Sequence, residues 1–303
     1  KDWKTEEDFK KSEAQWMKTD KEIKEQNDKL VKGKGTRLAH NKFSDMTNEE
    51  FAKKRGGVLP ENAADHMKDA FTGHGRRLQA GGNSVNWFAT GKTGEVLDQG
   101  DCASCYAFSA NMVLASTIAI QNNTPYQRLS EQAALDCTHQ GQPMTYAYNA
   151  GCSGGFMQFI WGWSSIYGAM PYEANAATGY GGYEYAEAYN GSCDHNPQHV
   201  VPETQGITFG AIGSVQEIID KLQVGTVDVG LSHACTGFKQ YNGGVITAAM
   251  SEAAGCSPST VNHAAVIVGY NAGGQCGRVT TTVETCNAAD LGEIADGQCA
   301  DSA

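Results

Sequence analysis

The chain has 303 residues, of which 40% are hydrophobic, and its formal net charge is −11. This length predicts one large domain or two smaller ones, and no apolar run approaches the roughly 18 residues that a membrane-spanning helix needs. An acidic chain is a poor candidate for nucleic-acid binding, because the phosphate backbone attracts basic surfaces.

The charge is distributed unevenly along the chain. Residues 1–80 contain 18 Lys and Arg against 15 Asp and Glu, a net charge of +3, whereas residues 81–303 have a net charge of −14. The opposite charges predict that residues 1–80, here called the front segment, are attracted to the rest of the chain. The alternative is that the acidic charge only keeps the surface soluble. The composition also changes near residue 80, so we divide the chain into 1–80 and 81–303.

The front segment is predicted to be mostly helical. Residues 1–31 begin with the capping residue Thr5 followed by two acids, and a sevenfold spacing of apolar residues continues along the helix. This stripe consists of Phe9, Trp16, Ile23 and Leu30. A stripe so narrow stabilises a helix only when it docks on a partner surface. A second, short helix is predicted after Thr47, and residues 56–83, rich in glycine, are predicted to form an exposed linker.

Residues 81–303 are predicted to contain helices first and strands later. Residues 105–120 are apolar on nearly every face and long enough for a buried helix. Shorter helices are predicted at 130–137 and 215–222, and strands at 206–209, 227–231 and 264–269. This order predicts an α+β protein with two lobes.

All ten cysteines follow residue 80. Such a density in one region predicts disulfides formed in an oxidising compartment, and the alternatives are metal ligands or buried thiols. Cys102 and Cys105 have the CxxC spacing of metal and redox sites. No second CxxC or HxxxH pair completes a zinc set, so we expect no metal.

Cys105 has the features of a nucleophile. It lies at the start of the predicted buried helix, where the helix dipole stabilises thiolate over thiol. A histidine opposite it would form an ion pair and hold the nucleophile ready. His263 is the candidate, because it opens the last apolar strand, and a rigid strand holds an imidazole well for proton transfer.

The residues around these two side chains resemble those of the papain family of cysteine proteases. The sequence Cys-Ala-Ser-Cys-Tyr at 102–106 departs from the family pattern around the nucleophile at one of five positions. Further matches follow in family order: Leu-Ser-Glu-Gln at 129–132, Gly-Cys-Ser-Gly-Gly at 151–155, Tyr-Asn-Gly-Gly-Val at 241–245 and Asn-His-Ala at 262–264. The resemblance implies the family's two-lobed α+β fold, with a helical left lobe and a right lobe like a β-barrel.

The resemblance implies roles for the matching residues. Cys105 is the nucleophile, His263 protonates the leaving amine, and Gln99 holds the oxyanion together with the backbone N–H of Cys105. The backbone of Gly154 and Gly155 is expected to pair with an extended substrate, and the alternative is a simple tight turn. Three residues that equally fit a core position are expected to line the pocket for the substrate's second side chain: Phe156, Met157 and Ala264.

The family's third catalytic residue, an asparagine followed by Ser-Trp-Gly, has only a partial counterpart. Asn287 lies 24 residues after His263, a spacing found among cathepsin L-like relatives, and is the candidate to orient the imidazole. The Ser, Trp and Gly are absent, and without the tryptophan the Asn–His hydrogen bond is expected to be weaker. The alternative is an ordinary loop asparagine.

The resemblance also implies a disulfide pattern. Three bonds are expected: Cys102–Cys152, Cys137–Cys193 and Cys256–Cys299. Cys299 is chosen from the three C-terminal cysteines, and Cys235 has no clear family counterpart.

The front segment resembles the family's inhibitory propeptide. Residues 39–45, Ala-His-Asn-Lys-Phe-Ser-Asp, match three of the four fixed positions of a propeptide motif, and residues 46–51 continue as those propeptides do. In relatives this segment runs backward through the cleft and blocks it. The alternative is a generic amphipathic helical arm.

The sequence therefore predicts the precursor of a cysteine endopeptidase that acts on polypeptides, has its own propeptide as an inhibitor and needs no cofactor. We expect a monomer of the secretory pathway, in a lysosome or vacuole or outside the cell, without nucleic-acid or membrane partners. Sequons at Asn122 and Asn190 are candidates for glycosylation. Two alternatives are a catalytically impaired papain-fold protein with a binding or structural role and a thiol–disulfide oxidoreductase, which requires Cys102 to be free.

Overall fold

The computed structural model describes residues 3, 5–30, 36–57, 84–177, 179–212, 214–244, 246, 256 and 261–270. Seven α-helices lie among these residues: α1 (Glu6–Asp28), α2 (Asn48–Arg55), α3 (Cys105–Gln121), α4 (Glu131–Cys137), α5 (Met157–Tyr167), α6 (Val215–Leu222) and α7 (Thr236–Lys239). The described strands are β1 (Arg37–Leu38), β2 (Val85–Asn86), β3 (Val227–Leu231), β4 (Tyr241–Gly243), β5 (His263–Ile267) and β6 (Gly269–Tyr270). None of the described helices combines the length and the hydropathy that crossing a membrane requires.

Side-chain caps determine where the two front helices begin. The hydroxyl of Thr5 accepts a hydrogen bond from the N–H of Asp8 at 3.0 Å. At α2, Thr47 and Glu50 form a reciprocal capping box, in which each side chain bonds to the backbone of the other. The predicted starts of both helices are confirmed to within a few residues.

The sevenfold apolar stripe of α1 docks only in part. Ile23 is 6% exposed, but Phe9 and Trp16 are 45% and 43% exposed. The stripe therefore meets a partner surface at Ile23 and stays half-exposed at Phe9 and Trp16. The physical reason is the small partner surface, since α1 packs mainly against β1 and α7. Trp16 stacks instead on His40 of the front segment, with ring centroids 4.2 Å apart.

Helix α3 is the centre of the core. It packs against α4 and α5 and also against β3 and β5. Tyr106 and Ala110 of α3 belong to one buried cluster with Leu135 of α4 and Ile160 of α5. Because helices and strands both press on α3, its first residue, Cys105, is held where the helical and the stranded parts of the chain meet.

The described strands form three antiparallel pairs, β1–β4, β2–β6 and β3–β5. The longest pair is β3–β5, in which Leu231 lies opposite His263. Strand β1 belongs to the front segment, so its pairing with β4 joins that segment to the rest of the chain. The α+β arrangement with a helical front segment follows the prediction.

Several short elements were not predicted, and one strand and one longer helix differ from the predictions. The strand expected at 206–209 is absent: Gly206 has a φ of +70°, and no strand is found there. Helix α5 was not predicted, because its sequence combines aromatic residues with Gly162, all weak helix formers. Burial of its side chains stabilises this helix in place of intrinsic helix propensity, since Trp163 of α5 is only 1% exposed.

Three disulfides lie among the described residues. They are Cys102–Cys152, Cys137–Cys193 and Cys235–Cys256. The first two pairs are those that the resemblance implied. The expected Cys256–Cys299 bond is wrong, because Cys256 is bonded to Cys235, whose Cα lies 5.2 Å away. Cys299 lies outside the described residues.

Candidate active site

Cys105 and His263 are brought together by the starts of α3 and β5. Cys105 is the first residue of α3 and is not in a disulfide, and His263 is the first residue of β5. The backbone N–H of Ala264 donates to the Sγ atom of Cys105 at 3.4 Å. Both side chains are buried, Cys105 at 1% exposure and His263 at 2%.

The thiol of Cys105 is protonated in this state. Burial raises its pKa to about 12, and this outweighs the backbone hydrogen bonds, chiefly from Ala264, that lower the pKa. The Asp228 carboxyl raises the pKa further. A helix start was expected to favour the thiolate, but here burial decides the protonation state.

His263 is uncharged in the same state. Burial, and then the neighbouring ring of His233, hold the pKa of His263 well below its usual range, while the backbone of Arg55 acts in the opposite direction. Its Nδ1 has no hydrogen-bond partner within the part of the chain that the structure describes. With Cys105 protonated and His263 uncharged, neither side chain has the charge that a thiolate–imidazolium pair would require.

The front segment leaves the end of α2 and crosses Cys105 directly. The N–H of Gly57 donates to the carbonyl of Asn262 at 3.0 Å, and the carbonyl of Gly57 accepts from the N–H of Gly155 at 2.6 Å. A methyl group placed on Gly57 would lie 2.8 Å from the Sγ atom of Cys105. Gly57 therefore bridges the two sides of the site and covers the nucleophile.

Gln99 already contacts a carbonyl of the front segment. Its side chain is 1% exposed, and its Nε2 donates to the carbonyl of Gly56 at 3.3 Å and to that of Cys102 at 2.8 Å. Gln99 thus presents a side-chain donor to a backbone carbonyl of the front segment beside Cys105.

The residues expected to bind substrate have different surroundings. Gly154 has a φ of +114°, a conformation that favours glycine. Phe156 is buried and packs edge-on against Phe159, and Met157 packs against the core cluster around α3. Ala264 lines a cavity together with Cys105. Ala264 thus borders the nucleophile, whereas the contacts described for Phe156 and Met157 are with core residues.

The disulfide between Cys102 and Cys152 links the segment before Cys105 to the turn before Gly154. It holds the nucleophile and the glycine backbone on one rigid unit. It also contradicts the oxidoreductase alternative, because that function requires Cys102 as a thiol.

Basic residues of the front segment pair with two aspartates next to the site. Lys42 and Arg55 contact Asp98 at 2.7 and 2.5 Å, and Lys54 contacts Asp101 at 2.8 Å. The aspartates are half-exposed, so each pair contributes little alone. These are the points at which the opposite charges of the two parts of the chain meet.

The front segment is also anchored near α7. Lys239 is 1% exposed, and its Nζ donates to the carbonyl of Met46 at 2.7 Å. The hydroxyl of Ser44 donates to the side chain of Gln240 at 2.9 Å. These buried contacts tie the front segment to a part of the chain that lies far away in sequence.

Asn287, the candidate to orient His263, lies outside the described residues. A residue that the sequence reasoning missed is His233, which stacks on His263. No motif signals this residue, because its position is set by the register of β3 against β5. Among the described residues, no group of three or more His, Cys, Asp and Glu side chains is arranged to hold a metal ion.

The two parts of the chain match two family models. Residues 82–280 match the papain family cysteine protease, and residues 1–51 match the cathepsin propeptide inhibitor domain. The first match includes Cys105 and His263, and the second ends a few residues before Gly56 and Gly57, which cross the site.

Curated relatives and solved structures resemble the chain over most of its length. It is 32% identical to the oryzain gamma chain of Oryza sativa subsp. japonica, over 77% of this chain and 59% of that protein. It is 30% identical to procathepsin L of Rattus norvegicus, over 85% of this chain and 70% of that protein. The structure of digestive procathepsin L 3 of the Tenebrio molitor larval midgut has a TM-score of 0.67 at 25% identity, covering 92% of this chain and 82% of that one.

Proposed function

Because the chain belongs to the papain family of cysteine proteases, we propose that it is the zymogen of a cysteine endopeptidase. Residues 1–80 are the inhibitory propeptide with its linker, and residues 81–303 are the peptidase domain. The observation that carries the proposal is the position of Gly57, which bonds to Asn262 and Gly155 on either side of Cys105. An extended peptide substrate would use the same backbone partners.

In the proposed mechanism, release of the propeptide lets Cys105 and His263 form a thiolate–imidazolium pair. The thiolate sulfur bonds to the scissile carbonyl carbon, and the C=O electron pair moves to the oxygen. Gln99 Nε2 and the Cys105 backbone N–H donate to that oxygen. The proton of His263 passes to the leaving amine as the C–N bond breaks, which leaves a thioester on Cys105.

Water completes the cycle. His263, now neutral, takes a proton from a water molecule whose oxygen attacks the thioester carbon. The C–S bond breaks, the carboxylic acid leaves, and the thiolate–imidazolium pair returns. Asn287 is proposed to orient the imidazole in both steps.

The protonation states of the covered site account for the survival of the propeptide. The thiol of Cys105 has a pKa of about 12 and His263 is uncharged. Burial thus disfavours the thiolate that would attack the carbonyl of Gly56, although Gln99 contacts the oxygen of that carbonyl. Release of the propeptide returns water to both groups and removes the desolvation. Inhibition thus acts on ionisation as well as on access.

Substrates are proposed to be extended polypeptides. The backbone of Gly154 and Gly155 would hold the chain, and Phe156, Met157 and Ala264 would border the pocket for its second side chain. The three disulfides support a location along the secretory pathway, in a lysosome or vacuole or outside the cell. One chain supplies every residue of the mechanism, so a monomer suffices.

The test is covalent labelling of Cys105. Full-length protein is matured at mildly acidic pH and treated with an epoxide inhibitor selective for this family, and mass spectrometry locates the adduct. We expect an adduct on Cys105 of the matured protein, none on the covered protein at neutral pH, and none on Cys105→Ser. A matured, folded protein with neither adduct nor peptide hydrolysis would overturn the proposal in favour of a catalytically impaired papain-fold protein.

A further inference from the structure

His233 is a buried histidine stacked on His263. It lies between β3 and α7 and is 4% exposed. The two ring centroids are 4.2 Å apart, and the ring planes differ by 17°. The imidazole that is to carry the proton therefore has a second imidazole parallel to one of its faces.

The hydrogen bonds of His233 determine its tautomer. Its backbone N–H donates to Oδ1 of Asn262 at 3.0 Å, and its Nδ1 lies 2.8 Å from the same atom. The shared atom of Asn262 accepts a hydrogen bond from a backbone N–H, so it is the amide oxygen and not the amide nitrogen. Because that oxygen cannot donate, Nδ1 of His233 must carry the ring proton and donate it to Asn262. Nε2 then keeps its lone pair, and it has no hydrogen-bond partner among the described residues.

Asn262 connects His233 to the path of the peptide backbone. It immediately precedes His263, and its carbonyl accepts the N–H of Gly57. His233 thus hydrogen-bonds to the side chain of Asn262 and stacks on the ring of His263, the residue that follows. On another side its ring lies 4.9 Å, centroid to centroid, from Phe51 of the propeptide. The bonds to Asn262 involve no propeptide atom, so they survive release of the propeptide.

We infer that His233 is a positioning residue of the active site, which orients His263 by stacking on its ring and by fixing Asn262. The inference rests on the proposed function, in which His263 carries the proton. Proton transfer requires a donor held close to one geometry, and packing on one ring face restricts the rotamers of His263.

The stacked pair takes up its second proton only at a pH well below that of the first, because two parallel imidazolium ions repel each other. Besides burial, the groups that act on the pKa values of the two rings are the side chain of Asn262 and the backbone of Arg55 at the end of α2. Asp228 on β3 acts on the thiol of Cys105. A thiolate at Cys105 would attract the first proton to His263 and leave His233 neutral.

Three variants separate the stacking from the hydrogen bond. His233→Phe keeps an aromatic ring against His263 and removes the donor to Asn262. His233→Asn keeps a side-chain donor and removes the ring, and His233→Ala removes both. Each variant is made in the full-length chain and then matured, with an added protease where it does not mature by itself.

His139 supplies the matched control. Its ring stacks on Tyr189 with centroids 3.8 Å apart, and its Nδ1 accepts the N–H of Gly141 at 3.1 Å. His139→Ala and His139→Phe therefore remove comparable contacts outside the site. Thermal unfolding of all variants identifies any that fail to fold.

We expect His233→Ala to lower kcat by roughly 10- to 100-fold with little change in KM, because a misplaced donor slows the chemical step. The kcat values of His233→Phe and His233→Asn should lie between those of the unmutated protein and His233→Ala, because each keeps one of the two contacts. The pH at which iodoacetamide alkylation of Cys105 becomes fast should rise in His233→Ala, because a loosely held His263 stabilises the thiolate less. The His139 variants should change neither quantity.

A second measurement does not need turnover. In matured protein with Cys105 blocked as a methyl disulfide, the ring NMR signals of His263 should titrate in two steps, and in one step in His233→Phe. Unchanged kcat and alkylation in His233→Ala, or a single step in the unmutated protein, would overturn the inference. Coupled titration in a protein that neither hydrolyses peptides nor alkylates rapidly would support the stacking and overturn the proposed function instead.

Discussion

The Cα of Gly57 lies so close to the thiol of Cys105 that an added methyl group would sit 2.8 Å from the Sγ atom. The carbonyl of Ala103 would be too close as well. The propeptide therefore crosses the nucleophile at a glycine. Because Gly57 has no side chain, the propeptide backbone can pack directly against the thiol of Cys105.

We expect Gly57→Ala to loosen the cover. Overpacking of this kind costs about 1–3 kcal/mol, so labelling of Cys105 by iodoacetamide at neutral pH should become about tenfold faster or more. Gly181→Ala is the control, because the space around its Cβ position is open. Equal labelling rates in the two variants would contradict the prediction.

The ion pairs of the propeptide resist mild acid. Burial raises the pKa of Asp98, but the hydrogen bond from Lys42 and other contacts leave it below its ordinary value of 3.8. The hydrogen bond from Lys54 lowers the pKa of Asp101. A carboxyl with a lowered pKa stabilises the covered state above its ordinary pKa and loses that contribution only as the pH falls through the lowered value. These pairs therefore persist until the pH falls below about 4.

His233 responds at higher pH. Burial lowers its pKa from 6.5 to about 4, against the opposing hydrogen bond with Asn262. The covered state binds the proton less well than the released state, so its stability is complete above 6.5 and declines as the pH falls toward about 4. In a Cys105→Ser chain, where no thiolate draws the proton to His263, the loss at about pH 5 reaches roughly 2 kcal/mol if the released ring returns to its ordinary pKa.

We therefore expect His233→Phe to move acid-triggered release to lower pH. The measurement is protease sensitivity of the propeptide in a Cys105→Ser chain, which cannot process itself. Asp98→Asn should increase sensitivity at neutral pH and low salt without moving the acid midpoint. If the pH midpoint of propeptide release is unchanged in His233→Phe, groups other than His233 control the acid-triggered release, and the prediction is wrong.

Two disulfides offer a matched comparison of stability with function. Cys102–Cys152 and Cys137–Cys193 close loops of 50 and 56 residues, so replacing either pair by serine should cost a similar 2–4 kcal/mol or so in unfolding free energy. Only loss of Cys102–Cys152 should also raise KM, because that bond supports the backbone of Gly155. Denaturant unfolding and peptide kinetics test this, and an equal rise in KM for both variants would refute it.

Asp228 should make the folded protein less stable at alkaline pH. Burial raises its pKa to about 8, although the hydroxyl of Ser109 donates to it at 2.5 Å. Stability from a carboxyl with a raised pKa is complete below its ordinary 3.8 and is lost as the pH rises through about 8. Asp228→Asn should therefore raise the melting temperature above pH 8, by thermal unfolding, and change it little in acid. An equal effect at both pH values would contradict this.

The sequence predicted best the parts of the site that local patterns encode. Cys105 at a buried helix start and His263 at the start of an apolar strand are local features, and each side chain is buried at the start of its element, with the N–H of Ala264 on the Sγ atom of Cys105. That the two side chains act as a pair stays a prediction. Asn287, by contrast, stays a prediction, because it lies outside the described residues.

What the sequence could not predict depends on contacts between distant segments. The stacking of His233 on His263 follows from strand register, which no motif encodes. The Cys235–Cys256 bond was missed because spacing alone does not determine connectivity. Helix α5 was missed because its aromatic residues disfavour a helix until they are buried.

The anchoring of the front segment near α7 has a consequence for synthesis. Lys239, which holds the carbonyl of Met46, precedes His263 by 24 positions in the chain. At about 5–20 residues per second, the ribosome makes this anchor one to several seconds before it adds the histidine. Met46 and Lys239 are therefore both synthesised before His263, so this contact of the propeptide requires no residue that is made after the histidine.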